Sequence, residues 1–156
     1  NSNVESLMLK ATLEVNDIQP KIIVKMAEER LGVIKGKKIA VLGLAFKPET
    51  DDVRESRSEI VVSELIEKGA NVVAHDPEGM SNFKELVDVK MTPTPELATE
   101  KADCVIIMTE WDIYRKLDLR LLLDRMNGNV LIDGRRALDA EEAEKIGFDY
   151  KTIGLG

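Results

Sequence analysis

Lys47, Arg54, Arg135 and Arg136 stand in loop-like stretches of a chain whose formal net charge is −7. An ammonium is a compact point charge and a guanidinium is a planar fork of donors, and both suit a diphosphate or a hydroxyl-rich ligand. The same side chains also read as solvated loop charges paired with Glu49, Asp51, Asp52 and Asp133. Position alone leaves the two readings level. Gly43 closes an apolar run, as the first glycine of a dinucleotide fingerprint would, and Asp76 ends a later run where a ribose is often held. However, Leu44-Ala45-Phe46-Lys47-Pro48 follows Gly43 with no further glycine, so backbone amides cannot approach a pyrophosphate as they do in G-x-G-x-x-G. Asp76, immediately before Pro77, is therefore read as a turn residue.

A nucleophile is harder to find. Cys104 is the one cysteine and lies in the apolar run Cys104-Val105-Ile106-Ile107-Met108, the setting of an inert buried thiol. No catalytic residue is assigned. Glu49, Asp51 and Asp52 lack the further oxygen ligands of a hard-metal site and are assigned to pairing with Arg54 or a helix terminus, so no metal is expected. His75, a lone histidine at a strand end, is read as structural. Trp111 is read as a packing residue under the ligand loop, with base stacking the lesser alternative.

These residues need elements to position them. Ile39-Ala40-Val41-Leu42, Asn71-Val72-Val73-Ala74, Cys104 to Met108 and Asn129-Val130-Leu131-Ile132 read as strands. A short strand is expected near Val87-Asp88-Val89, and a last edge strand over Phe148 to Thr152. Helices fall between them: from Ser56, with a capping-box spacing to Glu59, to Gly69; from Thr94-Pro95; over Leu119 to Met126; and from the cap Asp139 to Gly147. Strands alternating with helices predict an α/β fold, a doubly wound parallel sheet that is Rossmann-like but lacks the glycine fingerprint. Residues 35–156 form this unit. The winding reverses between the first and fourth strands, so ligands bind at their carboxyl ends. The loops Ala45 to Glu55, Thr109 to Asp112 and Asp133 to Arg136 meet there.

Residues 1–34 read as a helical segment ahead of the domain. Val4, Leu7, Met8, Ala11 and Val15, then Ile22, Ile23, Met26 and Ala27, keep a three- and four-residue spacing. Pro20 predicts a kink or break, with Asp17 capping the second piece. The apolar stripe from Val4 to Leu31 needs a cover, from further domains or a second subunit.

The chain has 156 residues, 44% hydrophobic and 33% charged, which suits a single folded domain with a short appendage. The acidic balance argues against nucleic acid and anionic membranes as partners. No apolar run reaches the roughly 20 residues that span a bilayer. The single cysteine fits a reducing compartment, and with no signal-like start the expected location is cytoplasmic. Opening on Asn1 without an initiator Met is what a piece of a longer chain would show.

Gly43-Leu44-Ala45-Phe46-Lys47-Pro48-Glu49-Thr50-Asp51-Asp52-Val53-Arg54-Glu55-Ser56 resembles the opening of the C-terminal domain in the UDP-glucose/GDP-mannose dehydrogenase family. The similarity continues, in order, through Gly69-Ala70, His75-Asp76-Pro77, Ala102-Asp103, Thr109-Glu110-Trp111 and Asp133-Gly134-Arg135-Arg136. Val15-Asn16-Asp17 is similar to the helix before that domain. Thr109-Glu110-Trp111 and Asp133-Gly134-Arg135 resemble most the branch that oxidises UDP-glucose at C6. Two positions depart from the pattern: Arg57, where many members carry proline, and His75, where tyrosine is common.

The resemblance implies a nucleotide-sugar site in which Phe46, Lys47 and Arg135 bind UDP-glucose and Arg54 reaches NAD across a cleft. It further implies an N-terminal NAD-binding domain and the catalytic cysteine upstream of Asn1, a homo-oligomer, and no activity from this chain alone. Two rival readings stand beside it: a stand-alone nucleotide-sugar-binding module, and the same domain of a UDP-N-acetylmannosamine dehydrogenase.

Overall fold

A computed structural model describes residues 2–153, and within them the side chains of all but residues 2, 5 and 8–17. Six parallel strands form one sheet: β1 (Lys38–Leu42), β2 (Asn71–His75), β3 (Lys90–Met91), β4 (Cys104–Ile107), β5 (Val130–Asp133) and β6 (Asp149–Thr152). Their order is β3-β2-β1-β4-β5-β6. The winding therefore reverses between β1 and β4, as the alternation of elements predicts. Leu42 aligns with Ile107 across that reversal, so both strands end at one crevice.

The helices among the described residues are α1 (Ser2–Leu31), α2 (Arg57–Glu67), α3 (Met80–Lys84), α4 (Pro95–Thr99), α5 (Asp112–Arg115), α6 (Leu119–Arg125) and α7 (Ala140–Ile146). Strand residues alternate between two cores. Ile39, Val41, Ile106 and Ile132 face one layer with Val61, Leu65 and Phe83. Ala40, Leu42, Val105, Ile107 and Leu131 face the other with Tyr114, Leu122 and Phe148. With both faces covered, strands β1, β4 and β5 read as apolar runs rather than alternating ones.

Helix starts follow local chemistry. Thr94 accepts from the Leu97 amide at 3.2 Å with Pro95 at the first helical position, and Asp139 accepts from the Glu142 amide at 3.1 Å, both as expected. Ser56 caps α2 but accepts from the Ser58 amide at 3.2 Å, and among the described residues no hydrogen bond returns from the Glu59 side chain to complete a box. Two further expectations need correction, and two helices were not expected. The short strand lies at Lys90–Met91, after Val87-Asp88-Val89, because that is where the chain comes level with Val73 and Ala74 of β2. The short helices α3 and α5 carry too few turns to show a period. Finally, α1 runs unbroken through Pro20. Proline removes one intrahelical donor and crowds the preceding turn, but packing of the following turns holds the helix: Ile23, Val24 and Ala27 are buried in the first core, against α2 and β5. Asp17 is thus inside the helix and caps no second piece. The side chains of Met8, Ala11, Val15, Asn16 and Asp17 lie outside the described residues.

Candidate nucleotide-sugar site

The crevice is built from the end of β1. Gly43 has φ 103°, a region open to glycine, and a Cβ there would come within 2.5 Å of the Thr109 backbone nitrogen. Its glycine serves close packing between the β1 and β4 loops rather than approach of a ligand. Thr109 donates its hydroxyl to the Ala45 carbonyl at 2.9 Å, and Ser58 donates to the Gly43 carbonyl at 2.7 Å. The start of α2 and the end of β4 are thereby tied to the β1 loop.

Asp76 takes the place a phosphate has in a dinucleotide fold. It is fully buried. One carboxylate oxygen accepts from the Leu44 and Ala45 amides at 2.7 and 2.9 Å and from the Trp111 indole at 3.2 Å. The other accepts from the Glu78 and Gly79 amides at 2.9 and 2.7 Å. The turn role expected from Asp76-Pro77 is present, and a second role that the sequence did not suggest is added. Amides that would cradle an external pyrophosphate are satisfied by the protein's own carboxylate, and Trp111 packs over it, buried.

Asp133, also fully buried, organises the β5 loop in a similar way. It accepts from the Arg135 and Ala137 amides at 3.1 and 3.0 Å, from the Leu138 amide at 2.9 Å, and from the Tyr150 hydroxyl at 2.7 Å. Arg135 is thereby aimed into the crevice. Its Nε donates to the Met108 carbonyl at 3.0 Å and an Nη to the Phe46 carbonyl at 3.2 Å, so it spans the ends of β4 and β1. The Glu110 carboxylate lies 3.4 Å from that Nε. Arg136 points elsewhere, donating to the Ile153 carbonyl at 3.3 Å.

Two hollows open beside these residues. The first, about 140 Å³, is lined by Ala45, Phe46, Arg57, Met108 and Arg135, with Gln19 and Ile23 of α1. The second, about 270 Å³, is lined by Phe46, Asp52, Arg54 and Glu55. Phe46, 48% exposed, and Glu55 line both, whereas Arg135 lines the first alone and Arg54 the second alone. Arg54 is 87% exposed and forms a two-pronged pair with Asp52, at 3.1 and 3.0 Å. The assignment of the acidic loop to pairing with Arg54 thus holds for Asp52. Lys47 is exposed and lines neither hollow.

Arg57 was noted in the sequence only as a departure, yet it lines the first hollow together with Arg135 and donates to the Gln19 side chain. A basic residue directly after a cap, at the mouth of a crevice, was the available signal. Cys104 is fully buried and desolvation pushes its thiol well above the usual range, as an inert core residue requires. His75 is buried against Tyr114, its Nδ1 2.9 Å from the tyrosine hydroxyl, which accounts for a structural histidine. Among the described residues no helix is long and apolar enough to cross a membrane.

Residues 40–140 match the model of the UDP-binding domain of the UDP-glucose/GDP-mannose dehydrogenase family. The chain is 37% identical over 150 residues to a UDP-glucose 6-dehydrogenase of Haloferax volcanii, covering 96% of this chain and 33% of that protein. It is 40% identical over 149 residues to that of Rhizobium meliloti, covering 94% and 34%. It spans about a third of the length of these relatives. Among solved structures, a UDP-glucose dehydrogenase from Pyrobaculum islandicum superimposes with a TM-score of 0.77 at 40% identity, over 91% of this chain and 31% of that one. An NDP-N-acetyl-D-galactosaminuronic acid dehydrogenase from Methanosarcina mazei gives 0.80 at 31%, over 90% and 30%. The opening of the β1 loop, the two loop-organising aspartates and the matched family model agree, and the chain belongs to the UDP-glucose/GDP-mannose dehydrogenase family, within which it forms the UDP-binding domain.

Proposed function

We propose that this chain is the C-terminal nucleotide-sugar-binding part of an NAD-dependent UDP-glucose 6-dehydrogenase, with residues 35–156 as the binding unit and residues 1–34 as a helical segment from the enzyme's central, subunit-joining region. The observation that carries the reading is the Asp76 carboxylate on the Leu44 and Ala45 amides. It removes the pyrophosphate seat of a dinucleotide domain, while Arg135 and Phe46 remain at the carboxyl edge for another ligand. NAD does not fit the β1 crevice of this chain and belongs to a separate domain, where it would accept the hydrides of two successive oxidations at C6. What these residues do is bind and orient. Phe46 offers an exposed ring, Arg135 a fixed planar fork, and Lys47 a mobile charge at the rim against the anionic ligand. Arg54, beyond Phe46, is directed to NAD across the cleft. Complete small-molecule sites measure roughly 300–1,000 Å³, so the first hollow, at about 140 Å³, holds only part of a nucleotide sugar. A partner domain completes it.

The test is calorimetric titration of the intact enzyme with UDP-glucose, UDP-N-acetylmannosamine and GDP-mannose. UDP-glucose should bind most tightly. One charge-assisted contact is worth roughly 1.5–3 kcal/mol, so Arg135→Ala should weaken UDP-glucose by about one to two decades, whereas Arg54→Ala should weaken NAD and spare the sugar nucleotide. Unchanged UDP-glucose affinity in Arg135→Ala would sink the assignment, and tighter binding of UDP-N-acetylmannosamine would move the chain to that branch.

A further inference from the structure

Glu110 carries a carboxylate that ligand binding has so far left without a task. Its Oε2 is shut away from solvent and, among the described residues, accepts no hydrogen bond. The Arg135 Nε stands 3.4 Å from that oxygen. A buried acceptor without a donor is costly, and a guanidinium beside it is what offsets the cost. The carboxylate is also set in place from both sides along the chain. Thr109 donates its hydroxyl to the Ala45 carbonyl and the Trp111 indole donates to Asp76, and both residues are buried. Glu110 therefore stands on a fixed turn at the end of β4, and Arg135 has to come to it.

The guanidinium has two edges to offer. Its inner edge is taken: Nε donates to the Met108 carbonyl and Nη2 to the Phe46 carbonyl, at 3.0 and 3.2 Å, with the Glu110 oxygen beside Nε. Among the described residues nothing accepts from Nη1, so the outer edge is left to meet the hollow that Arg135 lines. Glu110 itself does not line that hollow. Its charge thus acts on the fork from behind, and removing one partner of a partly buried pair leaves the other uncompensated and free to move.

We propose that Glu110 is a positioning residue for Arg135, whose carboxylate holds the guanidinium against the end of β4 with the outer edge presented to the bound nucleotide sugar. This rests on the reading of Arg135 as a contact to UDP-glucose. Glu110 touches no part of the ligand and contributes only through the arginine.

A double-mutant cycle in the intact enzyme tests this, with UDP-glucose titrated into the unmodified enzyme, Glu110→Gln, Glu110→Asp, Arg135→Ala and the pair Glu110→Gln with Arg135→Ala, and thermal melts to verify folding. Glu110→Gln should weaken UDP-glucose roughly fivefold to tenfold, a part of what Arg135→Ala costs, and add nothing once Arg135 is alanine. Glu110→Asp, which keeps the charge on a shorter stem, should recover part of the loss. If Glu110→Gln does not fold, the cycle is run with Glu110→Asp, whose smaller loss should likewise vanish beside Arg135→Ala. Unchanged or tighter binding in Glu110→Gln would overturn the proposal, because the charge would then only oppose an anionic ligand. An equal loss with and without Arg135 would overturn it too, since it marks a residue that shapes the β4 loop on its own. If Arg135→Ala leaves UDP-glucose affinity unchanged, the reading of the site falls and this role with it. If Arg135→Ala weakens binding and Glu110→Gln does not, the role of Glu110 alone falls.

Discussion

His75 is the only histidine in the chain, which makes its titration separable from everything else near neutrality. It is 3% exposed, and burial holds its imidazole below the ordinary value of 6.5 despite the raising influence of Asp76 and Glu96. The unfolded chain therefore binds a proton at a higher pH than the folded one. Stability from this residue is complete above about 6.5 and declines as pH falls below it, until the folded imidazole also protonates. Urea unfolding from pH 7 down to pH 5 should show that decline in the unmodified protein and a much flatter profile in His75→Gln. A decline that persists in the variant would assign it to carboxylates instead. The sequence suggested a structural residue from its strand-end position. It did not reveal Tyr114, 39 residues away, because α5 carries only four residues and shows no pattern that would face it toward β2.

At the scale of elements, the same contrast separates the framework from the site. The alternation of strands and helices, the point where the winding reverses, and the caps at Thr94 and Asp139 depend on neighbours in the chain, and all were legible. The Asp76 and Asp133 networks depend on donors brought together only by the finished sheet. Their sequence context showed a turn and a loop, not a carboxylate seated on another strand's amides. Arg57 was hidden for a related reason: its helix position was readable, but the hollow it lines is also lined by Arg135, 78 positions further on. Asp76 joins the ends of β1 and β2 to Trp111 beyond β4, so its loss should be felt as loosening of the whole crevice. In Asp76→Asn an amide group must face at least two N–H donors in a buried place, and each orphaned donor costs about 1–3 kcal/mol. The expected loss is about 3 kcal/mol or more by urea unfolding. A loss below about 1 kcal/mol would mean the loop amides find water or other acceptors, and the crevice is not held by this carboxylate.

For the molecule as a whole, α1 has two parts with different duties. Val4, Leu7 and Ile18 are 51%, 68% and 51% exposed, while Ile23, Val24 and Ala27 are 2%, 2% and 0% exposed within the first core. Gln19 and Ile23 also line the hollow at Arg135, and a Cβ on Gly134 would meet Ile23 Cδ1 at 3.1 Å, so the second part of the helix roofs the candidate site. The segment ahead of the binding unit therefore carries exposed apolar side chains at Val4 and Leu7 and, further on, a turn at Ile23 to Ala27 that packs against that unit. Two truncations separate the duties. Removing residues 1–16 takes Val4 and Leu7 and keeps Ile23, Val24 and Ala27, so the protein should keep its cooperative unfolding transition and associate less by light scattering. Removing residues 1–31 strips Ile23 and Val24 from the core, each worth roughly 1.5–3 kcal/mol of burial, and bares the faces of α2 and β5 beneath them. Against a total stability of about 5–15 kcal/mol, that should abolish or severely weaken the transition. A shorter chain that unfolds as cooperatively as the full one would show that the domain's core ends at β1 and that α1 belongs wholly to the surface it is meant to join.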